Sequence, residues 1–178
     1  MNDIDPHVAA DFFAFVLLAG VAMLVVAITR PPSRQAVADD ALRLVTVVAG
    51  GATVGSLYFS EVADFVPCEM CWFQRIAMYP IAVLGIIASF RRDRSVLPYV
   101  AVLASLGLVA SLYHTGIQLF PEQSTFCDVA NPCSAQWVEG LGWMSIPQMA
   151  GLSFAAIIAL TIVSIRTPHN DTPPKESS

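Results

Sequence analysis

Between Arg94 and Glu122 the chain runs 27 residues without an Asp, Glu, Lys or Arg. A helix needs about 20 predominantly apolar residues to cross the hydrocarbon core of a bilayer, so this stretch constrains the fold more than any other. Four further uncharged runs occupy residues 12–29, 44–60, 76–90 and the segment ending at Ile165. The run at 76–90 is short for a span unless its helix starts earlier, around residues 68–72. Five such runs predict an all-α integral membrane protein. Composition agrees, with 56% hydrophobic and 13% charged residues, where a soluble domain carries about 25% charge.

The connecting segments carry their own signals. A signal peptide is the competing reading of the first run, but the residues before it hold Asp3, Asp5 and Asp11 and no Lys or Arg. Signal peptides begin with a positive region, so a retained span is expected. Residues 30–43 read as a polar connector with Pro31 and Pro32. Gly50, Gly51 and Gly55 suggest close helix approach, and Pro80 is expected to kink the third helix because it has no N–H to donate. The fourth span is expected at 97–119, followed by a longer loop over 120–145. Ser145 with Gln148 three residues on, and Pro147 in the first turn, predicts a capped helix start. The polar tail after Arg166 is expected to be disordered. No cluster of basic and aromatic residues resembles a nucleic-acid surface, which excludes that class.

The nine Lys and Arg residues set an orientation. Arg30, Arg34 and Arg43 share one connector, Arg91, Arg92 and Arg94 another, and Arg166 and Lys175 the tail. With five spans these groups fall on one side, and basic segments stay cytoplasmic. The N-terminus and all four cysteines are then expected outside and the C-terminus inside. Only Arg75 stands apart.

Chemistry is expected at Cys68 and Cys71, three residues apart at the start of the third apolar run. In a helix the spacing of 68, 71 and 75 puts both thiols and Arg75 on one face. A helix N-terminus and a nearby cation both favour the thiolate, the form that attacks disulfides. Cys127 and Cys133 complete the set on the oxidising side, where idle thiols are uncommon. Two structural disulfides are the plainer reading, although a Cys-x-x-Cys loop contributes little closure stabilisation. A four-thiolate zinc site fits poorly with the wide 127–133 spacing, so no metal is expected.

The stretch C-E-M-C-W-F-Q-R-I-A-M-Y-P at 68–80 resembles the first active-site loop of the disulfide bond formation protein B family (DsbB), particularly its shorter BdbC-like branch. Y-H-T-G-I-Q-L-F-P at 113–121, T-F-C at 125–127, Cys133 with Gln136-Trp137, and I-P-Q at 146–148 follow in the family's order. The resemblance covers roughly residues 44–165. It implies a DsbB-like four-helix redox core at 41–166, with an extra N-terminal transmembrane helix and basic connector at 1–40 and a cytoplasmic tail at 167–178.

The function implied is a cell-membrane oxidoreductase that reoxidises an extracytoplasmic thioredoxin-fold thiol oxidase (DsbA/BdbD-like) and passes two electrons to a membrane quinone. Cys127 and Cys133 would form the disulfide attacked by the partner, Cys133 would exchange with Cys68, and Cys71 would face the quinone beside Arg75. Menaquinone and ubiquinone both remain open, with the BdbC likeness leaning toward menaquinone. His114 would lie near the quinone headgroup as a hydrogen-bond donor, or else be an ordinary buried polar residue. Met78, Tyr79 and Trp72 would line the pocket or simply pack. The apolar second loop, with Phe126, Trp137, Leu141 and Trp143, would rest on the interface. The alternative function is a non-enzymatic membrane protein whose outer loops are held by two disulfides. Two departures from the family stand out: the extra N-terminal span, and the closeness of Cys127 to Cys133. Gln74 also replaces the Glu often found before the arginine.

Overall fold

The computed structural model describes residues 5–121, 127–128 and 130–167. Five helices within it are long and apolar enough to cross a membrane. Helix α1 spans Pro6–Thr29, with Asp5 capping its start by accepting a hydrogen bond from His7 N at 2.9 Å. Helix α2 spans Pro31–Leu57, leaving Arg30 as the single residue between the two. The expected connector at 30–43 is therefore helical. Proline is pre-set for the first turn of a helix, and the charges that suggested a loop pair along the helix, as Arg43 does with Asp40 at 3.0 Å.

A π-helical turn, Tyr58–Val62, follows α2, and α3 then runs Glu69–Arg91 with Pro80 inside it. A short 3-10 turn, Arg94–Val96, leads into α4 at Leu97–Leu119, the span expected from the sequence. The loop after α4 contains an unforeseen two-residue ladder, β1 (Glu139–Gly140) against β2 (Met144–Ser145). Helix α5 spans Ile146–Arg166. Ser145 N donates to Gln148 Oε1 at 3.0 Å, as the capping pattern predicts, while the Ser145 hydroxyl donates to Gln118 Oε1 at 2.7 Å on α4. The tail beyond Thr167, together with Thr125 and Phe126, lies outside the described residues.

The core is built by α2 to α5 around Val45, Ile81, Val100, Phe154, Ile157 and Leu160. Helix α1 is the least buried of the five. Close approach occurs at glycines other than those expected. A Cβ on Gly85 would stand 2.8 Å from Thr46 Oγ1, and one on Gly107 would enter the Phe154 ring. At Gly50 and Gly51 a Cβ would meet nothing within 4 Å, and at Gly55 only ordinary contact with Phe13. These three glycines do not bring helices together.

Contacts sort the molecule into two ends. At one, Arg94 donates to the carbonyl of Ala38, and Thr46 Oγ1 lies 2.9 Å from Ser89 Oγ across α2 and α3. Arg30, Arg91, Arg92 and Arg166 flank these same helix termini. At the other end Asp11 Oδ1 accepts from Leu141 N at 2.6 Å, tying α1 to the hairpin of the second loop. The cysteines sit at this second end.

Candidate redox site

Cys68 is the N-cap of α3 and Cys71 lies in its first turn. Their sulfurs are 3.0 Å apart and both are free thiols, whereas Cys127 and Cys133 are joined as a disulfide with a Cα–Cα distance of 5.9 Å. All four cysteines belong to one buried cluster with Met70 and Ile117. Cys127, Asp128 and Cys133 therefore rest directly over the start of α3. Glu69, between the two thiols in sequence, holds it there: Asp128 N donates to Glu69 Oε1 at 3.3 Å, and Glu69 Oε2 lies 3.7 Å from Cys133 Sγ. An aromatic stack ties the two loops a second time, with Phe65 centroids 6.0 Å from Phe59 and 5.6 Å from Trp137.

Cys68 precedes the membrane-spanning part of α3. Its thiol is drawn down from the ordinary value to about 4, chiefly by the hydrogen bond from the Cys71 thiol. Burial opposes this, and hydrogen bonding and charge from His114 add to it. The helix N-terminus that Cys68 caps favours an anion in the same way.

His114 is a buried polar residue with partners on both ring nitrogens, one of the two readings the sequence left open. It is only 2% exposed and does not line the cavity described below. Its Nε2 lies 3.6 Å from Cys68 Sγ and 3.0 Å from the carbonyl of Cys133, and its Nδ1 lies 3.2 Å from Gln74 Nε2. Both ring nitrogens are thus engaged by the two cysteine loops and by α3. The α4 face that carries His114 turns toward Cys68 and the carbonyl of Cys133.

Arg75 is held by α2. Its Nε donates to Ser56 Oγ at 2.9 Å and its Nη2 to Ser56 O at 2.9 Å, on the α2 turn just before the π-helical widening. Tyr79 donates to the same hydroxyl at 3.3 Å, and the guanidinium carbon lies 5.2 Å from the Trp72 ring centroid. The cost of an intramembrane arginine, about 2.5–3.5 kcal/mol at mid-bilayer, is offset here by neutral acceptors. Ser56 and Glu69 were missed in the sequence. Glu69 stood in view between two cysteines, whereas nothing marks Ser56 within its uncharged run.

A cavity of about 560 Å³ opens beside the thiols. Its polar lining gathers at one end, where Cys71, Gln74, Arg75, Tyr79, Ser56 and Ser60 meet. The remainder is apolar except for Ser153, whose hydroxyl donates to Met149 O at 2.9 Å, and continues between α1, α2 and α5 as far as Ala27 and Leu160. Cys71 and Arg75 share this wall as the 71–75 spacing predicts, while Cys68 turns away toward His114. Met78 and Tyr79 line the cavity; Trp72 does not.

The geometry is that of a reactive thiol pair within reach of a disulfide, and comparison with known proteins gives it a family. The chain matches the family described as "Disulfide bond formation protein DsbB" over residues 38–164. It belongs to that family. The "Probable disulfide formation protein" of Oceanobacillus iheyensis is 38% identical over 132 residues, covering 72% of this chain and 91% of that protein. The "Disulfide bond formation protein C" of Bacillus subtilis is 43% identical over 114 residues, covering 63% of this chain and 83% of the relative. No solved structure matches the chain. As a DsbB-family member with five candidate spans, it is a multi-pass membrane protein with a role in disulfide bond formation. That role implies a thiol oxidase as partner. The family match takes in α3 to α5 up to Ser164 and most of α2, and leaves α1 outside.

Proposed function

We propose that the chain reoxidises an extracytoplasmic thioredoxin-fold thiol oxidase (DsbA/BdbD-like) and delivers the electrons to a membrane quinone. The observation that carries this reading is the position of Cys71 and Arg75 at the polar end of an otherwise apolar cavity. A thiol pair serving only as a staple has no use for such an opening. A polar ring fits the end where Cys71, Gln74 and the guanidinium converge, and Arg75 Nη1 carries no hydrogen bond among the described residues. When bound there, a quinone supplies a two-electron, two-proton acceptor for the thiols of Cys68 and Cys71.

The protein's own residues perform the exchange that precedes this. A thiolate of the reduced partner attacks the Cys127–Cys133 disulfide at Cys127, and Cys133 leaves as a thiolate. Cys133 attacks the Cys68–Cys71 disulfide at Cys68, releasing Cys71 toward the cavity. The partner's second thiol then resolves the mixed disulfide and leaves oxidised. Cys127 in turn attacks Cys133 and frees Cys68. The result is two thiols at 68 and 71 and a disulfide at 127–133, the arrangement described above. His114, against both Cys68 and the Cys133 carbonyl, fixes the two exchanging residues relative to each other. The basic helix ends lie on the cytoplasmic side in this reading, which puts the cysteines outside.

The test combines purified protein, a reduced thioredoxin-fold oxidase and quinone, and follows quinol formation. Cys68→Ser and Cys71→Ser are each expected to abolish turnover. If either retains it, the cysteines are structural and the enzyme reading fails.

A further inference from the structure

Helix α1 lies outside the family match, yet it forms a full side of the cavity. Toward the cysteine end it is packed tightly: Ala10 and Ala14 are fully buried, and Phe13 packs at an angle against Tyr58 and edge-on against Phe59. At the opposite end it is joined to α2 through Arg30 alone. Between these two fixed points the helices part. Gly20 on α1 and Gly51 on α2 both line the cavity, and a Cβ at either would meet nothing within 4 Å.

The opening is thus a slot closed at both ends, not a gap left by a loosely attached helix. From Phe13 to Ala27 it follows roughly 21 Å of helix axis. On the α1 side the lining there is apolar, including Val16, Leu17, Val21 and Leu24. An occupant with a polar ring at Cys71 and a long apolar tail matches both the segregation of the lining and its extent. Water is disfavoured over that length because nothing aliphatic satisfies its hydrogen bonds.

We propose that α1 is one wall of a channel for the apolar tail of the electron acceptor, so that this chain selects its acceptor by tail as well as by ring. The proposal rests on the quinone reading above. Gly20 and Gly51 keep the slot wide enough for the tail. The aromatic contacts of Phe13 at one end and the Arg30 corner at the other hold α1 at the required distance.

The experiment measures binding of two probes to detergent-solubilised protein by quenching of tryptophan emission. One probe is a naphthoquinone with a multi-isoprenoid tail; the other is the same ring without the tail. Gly20→Leu and Gly51→Leu each place a side chain in the slot and suit a helix better than glycine, so the fold is retained. Each is expected to raise the ratio of the two Kd values, tailed over tail-less, about tenfold, the effect of excluding roughly two methylenes. Gly50→Leu, on a glycine that does not line the cavity, is the control and leaves the ratio at the parent value. If the parent binds both probes and the ratio stays unmoved in Gly20→Leu and Gly51→Leu, the slot holds ordinary lipid and the proposal is overturned. If the parent binds neither probe, the quinone reading falls and this one with it.

Discussion

The guanidinium of Arg75 is held by Ser56, through both the hydroxyl and the carbonyl of one residue on the neighbouring helix. The bidentate grip fixes the plane of the group and leaves its remaining donors directed by α2 instead of by the thiol one turn earlier. A planar cation held in this way has a defined orientation. The proposed acceptor ring, at the polar end of the cavity, would meet that orientation ready-made.

Ser56→Ala removes one of the two anchors while the carbonyl remains. Hydrogen bonds to charged groups contribute about 1.5–3 kcal/mol, so acceptor KM is expected to rise about tenfold with kcat little changed. Steady-state quinone reduction checks this, and an unchanged KM shows that the grip has no bearing on acceptor binding. Arg75→Met, by contrast, removes the charge altogether. It is expected to keep the fold, because Ser56 O still receives the Ser60 hydroxyl at 3.3 Å, and to lose most acceptor affinity. Quinone binding equal to the parent would reduce Arg75 to an interface anchor.

Cys68 provides a pH prediction. Its thiol titrates near 4 in place of the ordinary value, mainly through the Cys71 hydrogen bond. A lowered value means the thiolate persists between about pH 4 and the ordinary range and is lost only as pH falls through about 4. Iodoacetamide alkylation of Cys68 in the reduced protein is therefore expected to be nearly flat from pH 8 to pH 6, where a free thiol at about 8.5 slows steeply. Cys71→Ala should restore the steep profile. A profile already steep in the parent contradicts the assignment.

Packing predictions follow from the glycines. Gly107→Ala drives a methyl into the Phe154 ring, in a core where overpacking costs about 1–3 kcal/mol. Thermal unfolding in detergent, followed by helical circular dichroism, is expected to shift clearly downward. Gly50→Ala should leave the midpoint unchanged or raise it slightly, since glycine is about 1 kcal/mol poorer than alanine in a helix.

Asp11 is predicted to matter to the second loop and not to the chemistry. Asp11→Ala removes the acceptor for Leu141 N, a residue with positive φ at the tip of the hairpin. Amide exchange at Leu141 should accelerate. Quinol formation at saturating acceptor should stay within about twofold of the parent, less than the fivefold that even 1 kcal/mol would bring. Unaltered exchange would mean that α1 does not restrain the loop.

Much of this architecture was legible in the sequence. The uncharged runs marked the five helices, the spacing of Ser145 and Gln148 marked the start of α5, and 71–75 spacing placed Cys71 and Arg75 on one wall. What stayed hidden depended on neighbours in space. The charges of Arg34, Asp39, Asp40 and Arg43 looked like a loop because polarity alone does not separate a solvated helix from a connector. Glycines 50, 51 and 55 looked like contact points because composition does not say which helix faces them. His114 and Ser56 lie on the right helices, but only tertiary packing turns one toward the sulfurs and the other toward the guanidinium.

The corner at Arg30 has a consequence for how the protein is made. With Thr29 ending one helix and Pro31 starting the next, there is no slack in which the first segment can settle before the second arrives. The two are expected to enter the bilayer as one bent rod, with the orientation of each set by the other. Spacer residues placed at that corner would divide a single insertion event into two, and each half would then find its own topology.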